Sequence, residues 1–281
     1  MTTIIIDSNS VCHRARHTLG NLSFEEKKVG IIFGFLKQIL AVSKRFNSRR
    51  FVFCWDSRSK ERIKLSSVYK QNRRKEKSEE EEELDRIAYD QFDAIRKIIL
   101  PTIGFRNIFI EDGYESDDII AKIVKDNNIG NAVIVSADSD LYQLLSEKVS
   151  LLISNDKPLF TKSDFVDKFG IEPSLWAEVK AIAGCPSDNV IGIKGVGEKS
   201  AVKYLKDELK HGSKTYKAIR NGEDLIEFNR KLVTLPFPGI RSFSLTNDDL
   251  SFDRFVSVCN KYGFNSFLSK ESLSSWKKIL L

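Results

Sequence analysis

Several apolar runs in this chain end in carboxylates. Ile4-Ile5-Ile6 leads into Asp7, Phe51–Trp55 leads into Asp56, and Ala132–Ser136 is followed by Asp138 and Asp140. Glu115-Ser116-Asp117-Asp118 opens a helical pattern, where Glu115 and Asp118 share one face. Two carboxylates about 4 Å apart repel by roughly 4 kcal/mol at an effective dielectric near 20. A larger group at one place stays ionised only with cations among it. Oxygen donors without His or Cys suit Mg²⁺, with Mn²⁺ able to substitute. Two such ions can clamp the attacking and leaving oxygens of a phosphodiester. The plain alternative for any single acid is a helix cap, worth about 0.5–2 kcal/mol. Taken alone, each acid is better explained that way, and only their recurrence favours a shared site.

For the acids to meet, their elements must be neighbours. Thr2–Ile6, Phe51–Trp55, Asn107–Ile110, Ala132–Ser136 and Val149–Ile153 read as strands. Between them lie helical patterns from about Ser23 to Phe46, Glu79 to Leu100 and Glu115 to Lys125, with a short one at Leu141–Leu145. Ser23 and Glu26 have the spacing of a capping box. Alternating strands and helices predict an α/β fold, a mostly parallel sheet with helices on both faces. Such sheets bind ligands beyond the carboxyl ends of their strands. From about residue 161 the pattern turns helical, with segments near 162–169, 173–183, 198–210, 213–232 and 247–262.

A second constellation runs from Cys185 to Ala201, Cys-Pro-Ser-Asp188-Asn-Val-Ile-Gly-Ile-Lys194-Gly195-Val-Gly197-Glu-Lys199-Ser-Ala. Its glycines allow close backbone approach, and the helix that follows offers free N–H groups to a phosphate. Contacts of that kind carry no base sequence, so they suit a binder of DNA shape. The alternative is a turn that merely reverses the chain. Arg58, Lys60, Arg62, Lys64, Lys70, Arg73, Arg74, Lys75 and Lys77 form a basic run, followed by Glu79–Glu83. The basic run reads as an electrostatic path for a single strand, or else as a solvated loop. The acidic run reads as a solvated first helical turn. His13 and His17 lie four apart but lack the partners of a metal helix and read as surface or DNA-proximal side chains.

The chain has 281 residues, is 41% hydrophobic and 30% charged, and carries a net charge of +6, which alone favours a polyanionic partner only weakly. Four scattered cysteines without a CxxC pair argue against a disulfide framework or a zinc site. No apolar run reaches the roughly 18 residues of a membrane span, and the N-terminus shows no leader, so a cytoplasmic protein of a bacterial or phage-infected cell is expected.

Five separated motifs, in order, resemble the 5′-nuclease (flap endonuclease) family. They are Asp7 after the first strand, Phe53-x-Trp-Asp56, Tyr69-Lys70 with Arg73, Glu115-x-Asp117-Asp118 and Ser136-x-Asp138-x-Asp140. The Gly-rich string after Cys185 is similar to the family's helix-3-turn-helix, and the resemblance spans roughly residues 3 to 205. It implies a PIN-like core with a helical arch (core 1–160, arch about 57–95) and a helical region 161–281 holding the helix-3-turn-helix at about 173–208. It also implies metal-dependent 5′-3′ exonuclease and flap endonuclease activity on DNA with 5′ ends or flaps, RNA-primed DNA included, in replication or repair. Two or more Mg²⁺ ions would be held, directly or through water, by Asp7, Asp56, Glu115, Asp117, Asp118, Asp138, Asp140 and Asp188. Lys70 and Arg73, with Asp118, would act in catalysis. Tyr69, Lys70, Arg73, Arg74, Lys194, Gly195, Gly197 and Lys199 would contact DNA, and K⁺ would sit at the Gly-rich turn.

In one departure from the family pattern, Cys185 stands where the family usually has an acid. Cysteine is a poor Mg²⁺ ligand, so weaker binding at the second metal is expected there. Two other functions remain open, a PIN-like ribonuclease and a catalytically weakened DNA-junction binder. A monomer working with replication proteins is the expected setting, and Ser269–Leu281 is expected to pack on the chain itself.

Overall fold

A computed structural model describes residues 2–73, 77–127 and 129–281. Its strands, numbered along the chain, are β1 (Thr3–Asp7), β2 (Ser23–Phe24), β3 (Lys27–Lys28), β4 (Phe51–Trp55), β5 (Ile108–Ile110), β6 (Ala132–Val135), β7 (Val149–Leu152), β8 (Gly184–Cys185) and β9 (Val190–Ile191). Five of them form one sheet in the order β5-β4-β1-β6-β7. Every neighbouring pair in it is parallel. The chain moves outward from β1 through β4 to β5, then returns to β6 on the other side of β1. This reversal places a crevice at the carboxyl ends of β1 and β6, the usual ligand position in such sheets.

The strands read as unbroken apolar runs because both faces of the sheet are covered. Ile4, Ile6, Phe51, Phe53, Val133 and Val135 face one core. Helices Ser8–Leu19, Gly30–Phe46 and Glu79–Ala94 pack there, joined by Phe252–Lys261 and Lys270–Leu280. Ile5, Val52, Cys54, Ala132 and Ile134 face the other core, under helix Ser116–Asp126 and helices from Lys162–Phe169 to Glu223–Val233. The C-terminal segment packs on its own chain. Trp276 is fully buried, its ring 4.2 Å from that of Phe255. No helix among the described residues is long and apolar enough to cross a membrane.

Several local expectations change. Ser23 and Glu26 do not cap a helix. They belong to the antiparallel pair β2–β3, with Glu25 and Glu26 at positive φ in its turn. Tertiary packing overrides the local pattern here, because Phe24 lies so close to Gly263 that a Cβ there would stand 2.1 Å from its ring. The helix itself begins at Gly30. Capping boxes form instead at Ser78 with Glu81, which uses the acidic run as a first turn, at Glu115 with Asp118 and at Thr161 with Asp164. The expected helix 213–232 is two helices, Lys214–Asn221 and Glu223–Val233. They part at Gly222, which packs against Ile193 where a Cβ would not fit.

Candidate metal centre and nucleic-acid face

The carboxyl edge of the sheet is built as a chain of hydrogen bonds. Asp7 ends β1 and caps helix Ser8–Leu19, accepting the Ser10 N–H at 3.2 Å. It also accepts Ser116 Oγ at 3.2 Å and Ser136 Oγ at 2.6 Å. The backbone N–H of Ser116 donates to Asp56 Oδ1 at 2.7 Å, so one serine ties the ends of β1 and β4 together. Ser136 Oγ accepts the Asp138 N–H at 3.1 Å, and Asp138 Oδ1 accepts the Asp140 N–H at 2.8 Å. Asp138 is thus a cap, as the plain reading had it, while remaining exposed on the edge. Cap and member of a shared edge are therefore compatible roles.

The electrostatics of this edge follow from crowding. Burial, with Asp56 beside it, raises Asp7 to about 7. Burial also raises Asp56, which keeps some solvent-exposed surface, and Glu115 adds to that rise. Asp140 goes up to about 6 through burial and the charge of Asp138, with Lys180 opposing. Asp117, half-buried, is raised by burial and by Asp118. The cations near these carboxyls do not offset their burial and mutual repulsion. A hard divalent cation fits this donor set.

The neighbouring half is compensated by the segment after β4. Burial alone would raise Glu115, yet Lys70 and Arg62 hold it down at about 2. Lys70 Nζ donates to Glu115, Ser59 Oγ donates at 2.5 Å and Tyr69 Oη at 2.9 Å. Tyr69 Oη also lies 3.2 Å from Asp188 Oδ2, and Arg73 lies 2.5 Å from Asp188 Oδ1. Lys70 adopts φ +53 and donates its N–H to the Asp188 carbonyl at 2.8 Å. Lys70 and Arg73, expected to act in catalysis, are thus ion-paired with Glu115 and Asp188.

Two of the expected site residues lie deeper than the rest. Asp118 does not face the edge. It is fully buried, and its oxygens accept Arg62 Nη1 at 2.5 Å, Arg62 Nη2 at 2.8 Å and the Phe237 N–H at 2.8 Å. Both oxygens are engaged, so Asp118 clamps the segment after β4 and the Phe237 loop to the start of its helix. Tyr69 is 5% exposed, and its hydroxyl is engaged by Glu115 and Asp188. The expectation for Arg74 falls outside the described residues.

Arg62 was read only as one charge in a basic run, and nothing in its spacing distinguishes it. In the fold it is buried between the rings of Tyr69 and Phe237 and donates to the Leu232 carbonyl. Lys180 was also missed, although a single lysine within Trp176–Ala183 was a readable signal. Its Nζ lies 3.3 Å from Asp140 and 3.2 Å from Glu198. His13 lies beside helix Glu79–Ala94. Its ring packs edge-on against Phe92 between two helices.

Asp188 and Cys185 reach the edge through β8–β9, which joins helix Trp176–Ala183 to the Gly-rich turn. Gly184 (φ +79) and Gly192 touch so closely that a Cβ on Gly184 would lie 2.3 Å from the Gly192 nitrogen. Asp140, Cys185 and Asp188 each offer a ligand atom within 4.8 Å of the others. Beyond them Lys194, Gly195, Gly197 and Lys199 are exposed, and nothing lies within 4 Å of where Cβ atoms on Gly195 and Gly197 would be. Gly197 precedes helix Glu198–Leu205, whose N-terminus carries no side-chain cap.

Residues 2–170 match the family model for the 5′-3′ exonuclease N-terminal resolvase-like domain. The chain is 32% identical over 254 residues to a 5′-3′ exonuclease of Mycoplasmopsis pulmonis, covering 83% of this chain and 80% of that protein. It is 30% identical over 208 residues to the thermostable DNA polymerase I of Thermus thermophilus, covering 73% of this chain but only 24% of the polymerase. Among solved structures, the phage T5 5′-exonuclease with bound zinc superposes with a TM-score of 0.72 at 22% identity, covering 84% of this chain and 90% of that one. The sheet, its acidic carboxyl edge and these matches agree: the chain belongs to the 5′-3′ exonuclease family and has its PIN-like fold.

Proposed function

We propose that this chain hydrolyses phosphodiester bonds of DNA with 5′ ends or 5′ flaps, RNA-primed DNA included, as a metal-dependent exonuclease and flap endonuclease. The observation that carries the reading is the hydrogen-bonded series Asp56–Ser116–Asp7–Ser136–Asp138–Asp140 across the switch point of a parallel sheet. Asp7, Asp56, Glu115, Asp117, Asp138, Asp140 and Asp188 would hold two or more Mg²⁺ ions. Divalent cations bound there supply charge neutralisation at the phosphate and activation of water. The serines fix the carboxylates in place, so their oxygens need not reorganise during reaction.

Lys70 and Arg73 stand at the base of the proposed arch, where a scissile phosphate entering the edge would exchange with Glu115 and Asp188 for their donors. The proposed helix-3-turn-helix, with Lys194 and Lys199 flanking bare glycine backbone, would grip duplex phosphates without reading bases. Its carbonyls at 192–197 would take K⁺. A role in replication or repair, as a monomer, is part of the same proposal.

The test is cleavage of a 5′-labelled flap DNA, and of its RNA counterpart, in Mg²⁺ and in Mn²⁺, with Asp7→Asn alongside. Metal-dependent cutting near the junction that Asp7→Asn removes supports the reading. Binding without cutting in either metal leaves a junction binder. Preference for the RNA flap transfers the assignment to a ribonuclease.

A further inference from the structure

Cys185 is the one thiol placed among carboxylates at the end of the acidic edge. Its Sγ and carboxylate oxygens of Asp140 and Asp188 all lie within 4.8 Å of one another. Two segments deliver them: the turn after β6 brings Asp140, and β8 with the short turn that follows brings Cys185 and Asp188. The sulfur is held there. Cys185 pairs with Val190 in β8–β9, is 6% exposed, and touches Ser187 Oγ at 3.2 Å. Gly184 and Gly192 pack backbone to backbone in that ribbon, with no room for a Cβ on either.

Bonds of about 2.0–2.3 Å to oxygen and sulfur set the ligand atoms of a tetrahedral zinc site roughly 3.5 Å apart, so small side-chain rotations close this group on an ion. Two carboxylates and one thiolate with a position left open is the ligand count of a catalytic zinc site. Mg²⁺ has little use for sulfur, whereas thiolate favours zinc and cadmium. Lys180, 3.3 Å from Asp140 Oδ1, offsets part of the negative charge. The other cysteines, Cys12, Cys54 and Cys259, are fully buried in the two cores.

We infer that Asp140, Cys185 and Asp188 form a cation site that selects thiophilic divalent ions over Mg²⁺. The inference rests on the proposed metal-dependent nuclease and specifies the ion preference of one part of its edge. On binding, the Cys185 S–H bond breaks, its proton passes to buffer, and a sulfur–metal bond forms without any redox change.

The experiment is titration of the full chain with Cd²⁺, read by the ultraviolet thiolate-to-cadmium charge-transfer band, with proton release followed in weak buffer. One equivalent should develop the band and release a proton, and Zn²⁺ should displace Cd²⁺ at far lower concentration than Mg²⁺ does. Cys185→Ser should abolish the band. Asp140→Asn, which leaves the sulfur in place, should weaken Cd²⁺ binding at least about tenfold, the loss typical of removing even an outer partner of a metal. No band in the unaltered protein, or a band that survives Cys185→Ser, overturns the inference. Flap cleavage is scored separately. Cleavage without the band removes this site alone, and the band without cleavage removes the nuclease reading alone.

Discussion

The acidic edge has two halves that solve the same electrostatic problem differently. Asp7, Asp56 and Asp138 are held by serines and backbone amides, with no ion pair to them among the described residues. Burial and mutual repulsion raise Asp7 to about 7. Glu115 and Asp188 are held by Lys70, Arg73 and Tyr69, and Glu115 falls to about 2. The first half is preorganised for added positive charge. The second carries its own, supplied by the segment that follows β4. Shape comes from the sheet in one case and from ion pairs in the other, so perturbing the two halves should give opposite results.

The largest effect is expected in the compensated half. Arg62→Ala strips Asp118 of its bidentate partner inside the protein, and breaking a buried pair typically costs about 3–5 kcal/mol. Urea unfolding should show that loss, and a change within the error of the midpoint would contradict the clamp. Asp118→Ala should likewise unfold the protein before it reports on chemistry.

Asp7→Asn should do the reverse. It removes one charge from a repelling group while keeping the size of the side chain, so thermal stability should hold or rise. Flap cleavage should fall about 10²-fold or more, since a cation contact is worth several kcal/mol at the transition state. Retained cleavage would break the comparison at its centre.

The halves also differ in pH response. Asp7 is raised from 3.8 to about 7, so between those values the native state binds more protons than the unfolded chain. Stability of the chelator-treated protein should therefore fall as pH rises through that window, by up to about 4 kcal/mol at 1.36 kcal/mol per unit. Glu115 has the opposite sign. It is lowered from 4.5 to about 2, and its stabilisation is present above 4.5 and lost as pH falls through 2. Urea midpoints at pH 5 and pH 7 check this, with Asp7→Asn flattening the difference. A native protein more stable at pH 7 than at pH 5 without metal would count against the assigned burial.

The smallest effects belong to the Gly-rich turn. Lys194→Ala and Lys199→Ala should each weaken binding of duplex DNA evenly across sequences. Each should lower the slope of log affinity against log salt by about one. Fluorescence anisotropy over a salt series measures it, and an unchanged slope would remove the turn from the interface.

Much of this was legible in the sequence. The apolar runs ending in Asp7, Asp56 and Asp138 fix strands and put their acids at one end, because strand direction and a parallel sheet leave no other place for them. The Gly184 and Gly192 spacing likewise follows from a backbone contact that only glycine permits. Local pattern did not decide which acid faces the edge. Asp117 and Asp118 are adjacent on one helix start, and only docking on Arg62 and the Phe237 loop sends the second inward. Nor could the basic run reveal that Arg62 is buried while Lys70 and Arg73 lie on carboxylates, for solvated and buried cations look alike in sequence. Sequence determined which elements form and which chemical groups they carry. Long-range packing alone decided which charges meet, since that depends on the desolvation and partners that each side chain finds in the folded chain.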